Sequence, residues 1–224
     1  MRSFAIALTY SALLLPLAAL AQAPPDAASL LGLHRSYVGW EFGDGTFTSL
    51  RIHSQYVPNG ASEPTQEAST LLRGAIFRTS QIDAKTGSTL DVGFTGRVFW
   101  ASDENGFTRP IYGDYQQYLL SRSVLFGEGT ALLTGTLEPS ASIDGAVYPV
   151  VRVQPPHGDP IDVYIDPKSG AYVRAVIDPG GSYSKTFDIL AYTDALPGRR
   201  MISTYRMAGD SGTYEFTKFE PNVE

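Results

Sequence analysis

Cysteine is absent from all 224 residues of this chain, which excludes a disulfide framework and leaves no N-terminal cysteine to carry a lipid anchor. A single core of this size buries enough apolar surface to do without covalent staples. Histidine is scarce as well. His34, His53 and His157 lie far apart, with no H-x-x-x-H or H-E-x-x-H spacing and no thiolate to complete a zinc site, so neither a metal nor any other cofactor is expected. Positive charge is in deficit: 17 Lys and Arg stand against 23 Asp and Glu, a net charge of −6. That balance disfavours nucleic acid as a partner and offers no polybasic patch to a membrane surface. Catalytic signatures are missing too. There is no G-x-S-x-G elbow, and neither Ser123 nor Ser184 has a cue for a nearby base. The glycine-rich pieces at 43–46 and 127–130 lack the lysine and the following helix that phosphate binding requires.

One long apolar run does occur, at the start. Arg2 is a short basic region, Phe4 to Leu20 an apolar core, and Ala21-Gln22-Ala23 a small-x-small cleavage site, so residues 1–23 are expected to be an export signal peptide that is removed. Tyr10, Ser11 and Pro16 interrupt the run and argue against a stable membrane anchor. The expected location is the periplasm, with the cell exterior as the other outcome of export. Residues 24–224 then form one domain.

Aromatic residues are plentiful, with 13 Tyr and 11 Phe, which suits a sheet-rich protein. Asp26 is a candidate N-cap for a first helix, with Leu30, Leu31, Leu33, Tyr37 and Val38 as its stripe and Gly39 as its end. Strand character follows over 46–57, over 68–82 as one stretch, and over 89–94; 96–100 and 107–112 pair as a hairpin across a short polar turn. Asp114 is a candidate N-cap for a second helix to about Phe126, with Tyr115, Tyr118, Leu119, Arg122 and Leu125 at helical intervals. Seven further strands are read at 131–137, 146–154, 161–166, 171–177, 183–193, 200–208 and 213–219. The alternation is clearest from Val147 to Ile177, where Val151 and Val153, then Ile161, Val163 and Ile165, share a parity opposite to Arg152 and Asp162. The fold class is therefore mainly β: one curved antiparallel sheet of about eleven strands, forming an incomplete barrel covered by an N-terminal helix and one internal helix.

Asp166-Pro167-Lys168-Ser169-Gly170 between two strands, followed by Val173-Arg174, resembles the DP-x-[ST]-G hairpin of periplasmic lipoprotein carriers of the LolA/LolB type. The order of elements over roughly Asp26 to Phe219 is similar to a LolA-like domain, including those that precede a retropepsin-type aspartyl protease domain. The resemblance implies a helix-covered half-barrel enclosing an apolar cavity for acyl chains or hydrophobic ligands. Two functions follow as expectations. One is a non-catalytic binding protein for a hydrophobic or lipidic ligand or a lipoprotein; the other is a non-catalytic N-terminal module of a larger protease whose active site lies beyond residue 224.

The apolar cavity candidates are Trp40, Phe94, Phe99, Trp100 and Leu119, with Val151, Val163 and Ile165 from the central strands. Core filling accounts for the same residues. Asp210-Ser211-Gly212 has the D-[ST]-G pattern of aspartyl proteases, whose carboxylate shares a proton with a second Asp, but between two strands it reads as a hairpin turn. Asp162 and Asp166, roughly 13 Å apart at strand rise, are expected on a solvated face, and His157 in an exposed turn. No catalytic residue is expected.

Overall fold

The computed structural model describes residues 25–40, 44–73, 76–127 and 133–223; the expected signal peptide lies outside them. The first element is helix α1, Ala27–Val38. Asp26 caps it by accepting from Ser29 N at 2.7 Å, and Gly39 ends it in the left-handed region at φ 76°, as a C-terminal glycine does most cheaply. Six strands follow: β1 Leu50–Pro58, β2 Gln66–Arg73, β3 Ile76–Asp83, β4 Thr89–Phe94, β5 Phe99–Ser102 and β6 Thr108–Pro110. Helix α2, Asp114–Phe126, separates them from seven more: β7 Gly135–Ile143, β8 Ala146–Val153, β9 Ile161–Ile165, β10 Tyr172–Ile177, β11 Lys185–Leu196, β12 Arg199–Met207 and β13 Gly212–Pro221.

All thirteen strands form one open sheet in the order β6-β5-β4-β3-β2-β1-β13-β12-β11-β10-β9-β8-β7. The strand total exceeds the sequence reading because the stretch 68–82 is two strands, paired from Gln66↔Asp83 to Arg73↔Ile76; its reversal carries no Pro or Asn-Gly signal. The sheet is a pair of meanders joined in the middle, where β1 pairs antiparallel with β13 from Leu50↔Pro221 to Pro58↔Gly212. The two outer edges, β6 and β7, are consecutive in sequence. The chain between Pro110 and Gly135 must therefore cross from one edge of the sheet to the other, and α2 lies on that crossing. Asp114 begins the helix but does not cap it: the N-cap is Gly113, without a side-chain bond, and the Asp114 carboxylate accepts from Ser182 Oγ at 2.9 Å.

The sheet is curled. Helix α1 packs against β7, β8 and also β12, four strand spacings from β8. The curl is plainer at α2: Phe94 of β4 and His157, just before β9, line one cleft, although β4 and β9 stand eight strand positions apart, about 38 Å in a flat sheet. A cross-strand row of Val151, Val163, Ala175, Phe187 and Met207 carries the core through this part, with Val151, Val163, Ala175 and Phe187 fully sealed from solvent.

The DP-x-[ST]-G hairpin between β9 and β10 locks α1 in place. Asp166 accepts from Lys168 N at 3.0 Å and Ser169 Oγ at 2.7 Å, and these bonds hold its carboxyl below the usual range. Gly170 sits at φ +87°, where a Cβ would fall 2.6 Å from Leu33 O on α1. His34 donates from Nδ1 to Gly170 O at 2.8 Å and stacks on Tyr172 with ring centroids 3.4 Å apart.

On the other face of the sheet, Arg152 forks onto Asp162 at 2.7 and 2.8 Å and approaches Glu138 at 3.6 Å. Asp162 is thereby buried at 7% exposure, which corrects the expectation of a solvated carboxylate: the guanidinium of its cross-strand partner covers it. Asp166 belongs to the turn and shares no face with it.

Candidate functional site

The crossing places α2 over the hollow side of the sheet with two faces engaged. Tyr118 and Phe126 pack toward β11–β13: Tyr118 stacks parallel to Phe187 with centroids 6.4 Å apart, and Phe126 meets Tyr205 at 4.6 Å and Phe216 at 5.6 Å. Leu119, Arg122, Ser123 and the inner edge of Phe126 border the space toward β1–β3 and Phe216 of β13, where the fit is incomplete. A cavity of about 40 Å³ remains there, walled by Ile52, Leu72, Phe77 and Leu119 on its apolar side and by Thr70, Thr79 and Arg122 among its polar groups.

Strand register explains that lining. On β1 to β3 the inward positions start apolar, with Leu50, Leu72 and Phe77 in one row, and turn polar two residues along, where Ile52, Thr70 and Thr79 are neighbours. The Thr70 and Thr79 hydroxyls bond each other at 2.9 Å. Arg122 donates from Nη2 to Tyr205 Oη at 3.1 Å, and its guanidinium carbon lies 5.4 Å from the centroid of Phe126. Its Nε is buried and makes no hydrogen bond. Burial opposes the charge on Arg122, while the hydrogen bond it donates to Tyr205 and the neighbouring tyrosines favour it, so that its pKa is raised. It is a fixed cation at any accessible pH. Burial pushes the Tyr118 phenol up to about 12.

Of the residues expected to line a pocket, Leu119 does so. Phe94 and Phe99 stack at 4.4 Å, and Phe99 meets the cavity wall through Phe77 at 5.7 Å; Phe94 also borders an open cleft of about 300 Å³ beside Gln116, Gln117 and His157 on another flank of α2. Trp100 is only partly buried and packs over Gly93, where a Cβ would meet its ring at 2.7 Å. Trp40 donates from Nε1 to Arg200 O at 2.7 Å and meets Phe47 edge-on. Val151, Val163 and Ile165 are fully enclosed in the β8–β9 core, away from the cavity. Ser54, Thr70, Thr79 and Arg122 carry none of the apolar character by which lining residues are expected from sequence, and they join the wall all the same. The signal for Arg122 was a cation at an apolar-stripe position of α2.

Asp210-Ser211-Gly212 forms the β12–β13 turn, with Asp210 N donating to Met207 O at 3.1 Å and Tyr214 Oη to Asp210 at 2.9 Å. Among the described residues, no cluster of His, Asp and Glu could hold a metal, and no helix is long and apolar enough to cross a membrane.

No protein-family model and no curated protein matches the sequence. Among solved structures, a LolA superfamily protein from Nitrosomonas europaea superposes with a TM-score of 0.59 at 14% identity, covering 90% of this chain and 96% of that one. An uncharacterized conserved protein from Thermus thermophilus follows at TM-score 0.31 and 10% identity, covering 87% of each chain. A chain of the Pseudomonas aeruginosa MucA/MucB complex follows at 0.25 and 10%, covering 88% of this chain and 99% of that one. The last two likenesses are too loose to argue from, and nothing in these likenesses supports the association with a protease domain. The first, with the open thirteen-stranded sheet and its two helices, establishes that the chain has a LolA-like fold.

Proposed function

We propose that this is an exported periplasmic binding protein, released from a leader at residues 1–23, that holds a hydrophobic or lipidic ligand between α2 and the inward face of β1–β3 without catalysing a reaction. The observation that carries the reading is the seam itself. The chain that links the two sheet edges carries α2 over the hollow, where its aromatic residues pack on β11–β13 and unfilled space remains against β1–β3 and Phe216 of β13. A space of about 40 Å³ has room for roughly one water, far below the ~300 Å³ of a small-molecule pocket. On this reading the structure is a closed form, and a ligand takes the place of Leu119 and Phe126 when α2 lifts. Each methylene of an acyl chain buried there contributes about 0.8 kcal/mol, so a chain of ordinary length offsets the cost of displacing the helix.

Protein purified from its own periplasm, extracted with organic solvent and analysed by mass spectrometry, is expected to release a lipid in near-stoichiometric amount, or to take up added lipid after stripping. Extracts without lipid, together with no uptake, would contradict the proposal.

A further inference from the structure

Resting on that carrier reading, we propose that the ligand is an amphiphile with a single anionic head, a carboxylate or a phosphate ester, and that Arg122 is the residue that pairs with it. Arg51, Arg78, Arg152, Arg174 and Arg200 each meet a carboxylate within 4 Å. Arg122 meets none among the described residues, although it points into the interior. Its one side-chain acceptor is the neutral phenol of Tyr205, and its buried Nε donates to nothing. A guanidinium carries five N–H groups and no acceptor, in a fork that matches carboxylate and phosphate oxygens. Leaving such donors buried without an anion is costly, so a cation kept in an apolar wall marks a place where negative charge arrives from outside.

The surroundings define what accompanies that charge. Arg122 shares its cavity with the hydroxyl-bearing Ser54, Thr70 and Thr79 at one side, and with Leu72, Phe77 and Leu119 at the other. The arrangement gives an anion hydrogen-bond donors at its head and an apolar path for its chain along the Leu72–Phe77 row. A cationic or zwitterionic head would bring positive charge toward a fixed positive charge. A sugar or free alcohol would leave the guanidinium unneutralised.

The test is calorimetric titration of the full chain with dodecanoate, dodecyl phosphate, dodecanol and dodecyltrimethylammonium below their micellar concentrations, with inorganic phosphate as a headgroup control. Wild type is expected to bind both anions about tenfold or more tightly than dodecanol, and to bind the cation least. Dodecanoate against dodecyl phosphate separates a fatty-acid source from a phospholipid-type one. Arg122→Met is expected to remove the preference for anions while dodecanol binding stays the same or tightens; Arg122→Lys keeps part of the preference and serves if the Met variant unfolds. Equal affinity of wild type for anions and dodecanol overturns the proposal and leaves the carrier reading standing, with a trapped water then serving Nε. Loss of all ligands equally in both variants, with unchanged melting temperature, assigns Arg122 a packing role and also overturns it. No binding of any amphiphile overturns both readings.

Discussion

The two meanders of this sheet are built by the same strand chemistry and are filled differently. From β8 to β12 the inward positions carry Val151, Val153, Ile161, Val163, Ile165, Ile177 and Phe187 without exposure, and α1 is fastened over them by His34, Gly170 and Tyr172. From β1 to β3 the inward row changes from Leu72 and Phe77 to Thr70 and Thr79, and the helix above leaves a gap beside Arg122. One meander devotes its inward face to stability. The other keeps polar groups and space where a fold selected for stability alone would place methyl groups. The proposed ligand site falls in the half that packs less completely.

Substitutions should respect that division, and the largest effect belongs to the filled half. Phe187→Ala removes a ring fully enclosed against Tyr118, Phe126 and Tyr205 and is expected to cost about 3–5 kcal/mol in urea unfolding; a cost below ~1 kcal/mol would erase the distinction between the meanders. Gly170→Ala imposes a left-handed backbone on an L-residue and drives its Cβ into Leu33 O. It should cost about 2–4 kcal/mol, and hydrogen exchange should rise in α1 before it rises in α2. If α2 loosens first, the α1 clasp is misassigned.

The seam itself titrates. Burial raises the Tyr118 phenol from 10 to about 12, so the folded state holds that proton more tightly than the unfolded chain does. The stabilisation is complete below pH 10 and is lost as pH climbs through 12, a swing of about 3 kcal/mol. Tyr118→Phe should flatten melting temperature over that alkaline range, and an unchanged alkaline slope would place the responsible phenol elsewhere. The smallest effect is expected in the unfilled half. Converting the bonded pair Thr70 and Thr79 to Val together removes both partners of one hydrogen bond and should move stability by less than ~1 kcal/mol. A large loss would mean that this wall is core after all.

Much of the filled half was legible in the sequence. Asp26 and Gly39 mark both ends of α1, and turn residues such as Asp166-Pro167 and Gly198 separate strands whose alternation survives into the structure. The sheet class and the internal helix at 114–126 follow from the same periodicities. What was not legible depends on pairing between distant residues. Nothing local in Leu50 or Pro221 says that they are neighbours, and that pairing is what sends α2 across the hollow. The cavity wall follows from it: Ser54, Thr70 and Thr79 are ordinary strand polar residues until the register turns them inward. Val151 and Val163 read as lining on parity alone, but parity cannot tell a lined hollow from a filled one.

Entry of a ligand between α2 and β1–β3 can be read from titration with a dansylated undecanoate. Wild type should give saturable, blue-shifted fluorescence at one site. Thr79→Trp, which fills the cavity, should abolish that signal, whereas Arg78→Ala on the opposite face of the same strand should leave it intact. Equal binding by all three proteins, or none by wild type, would contradict the account.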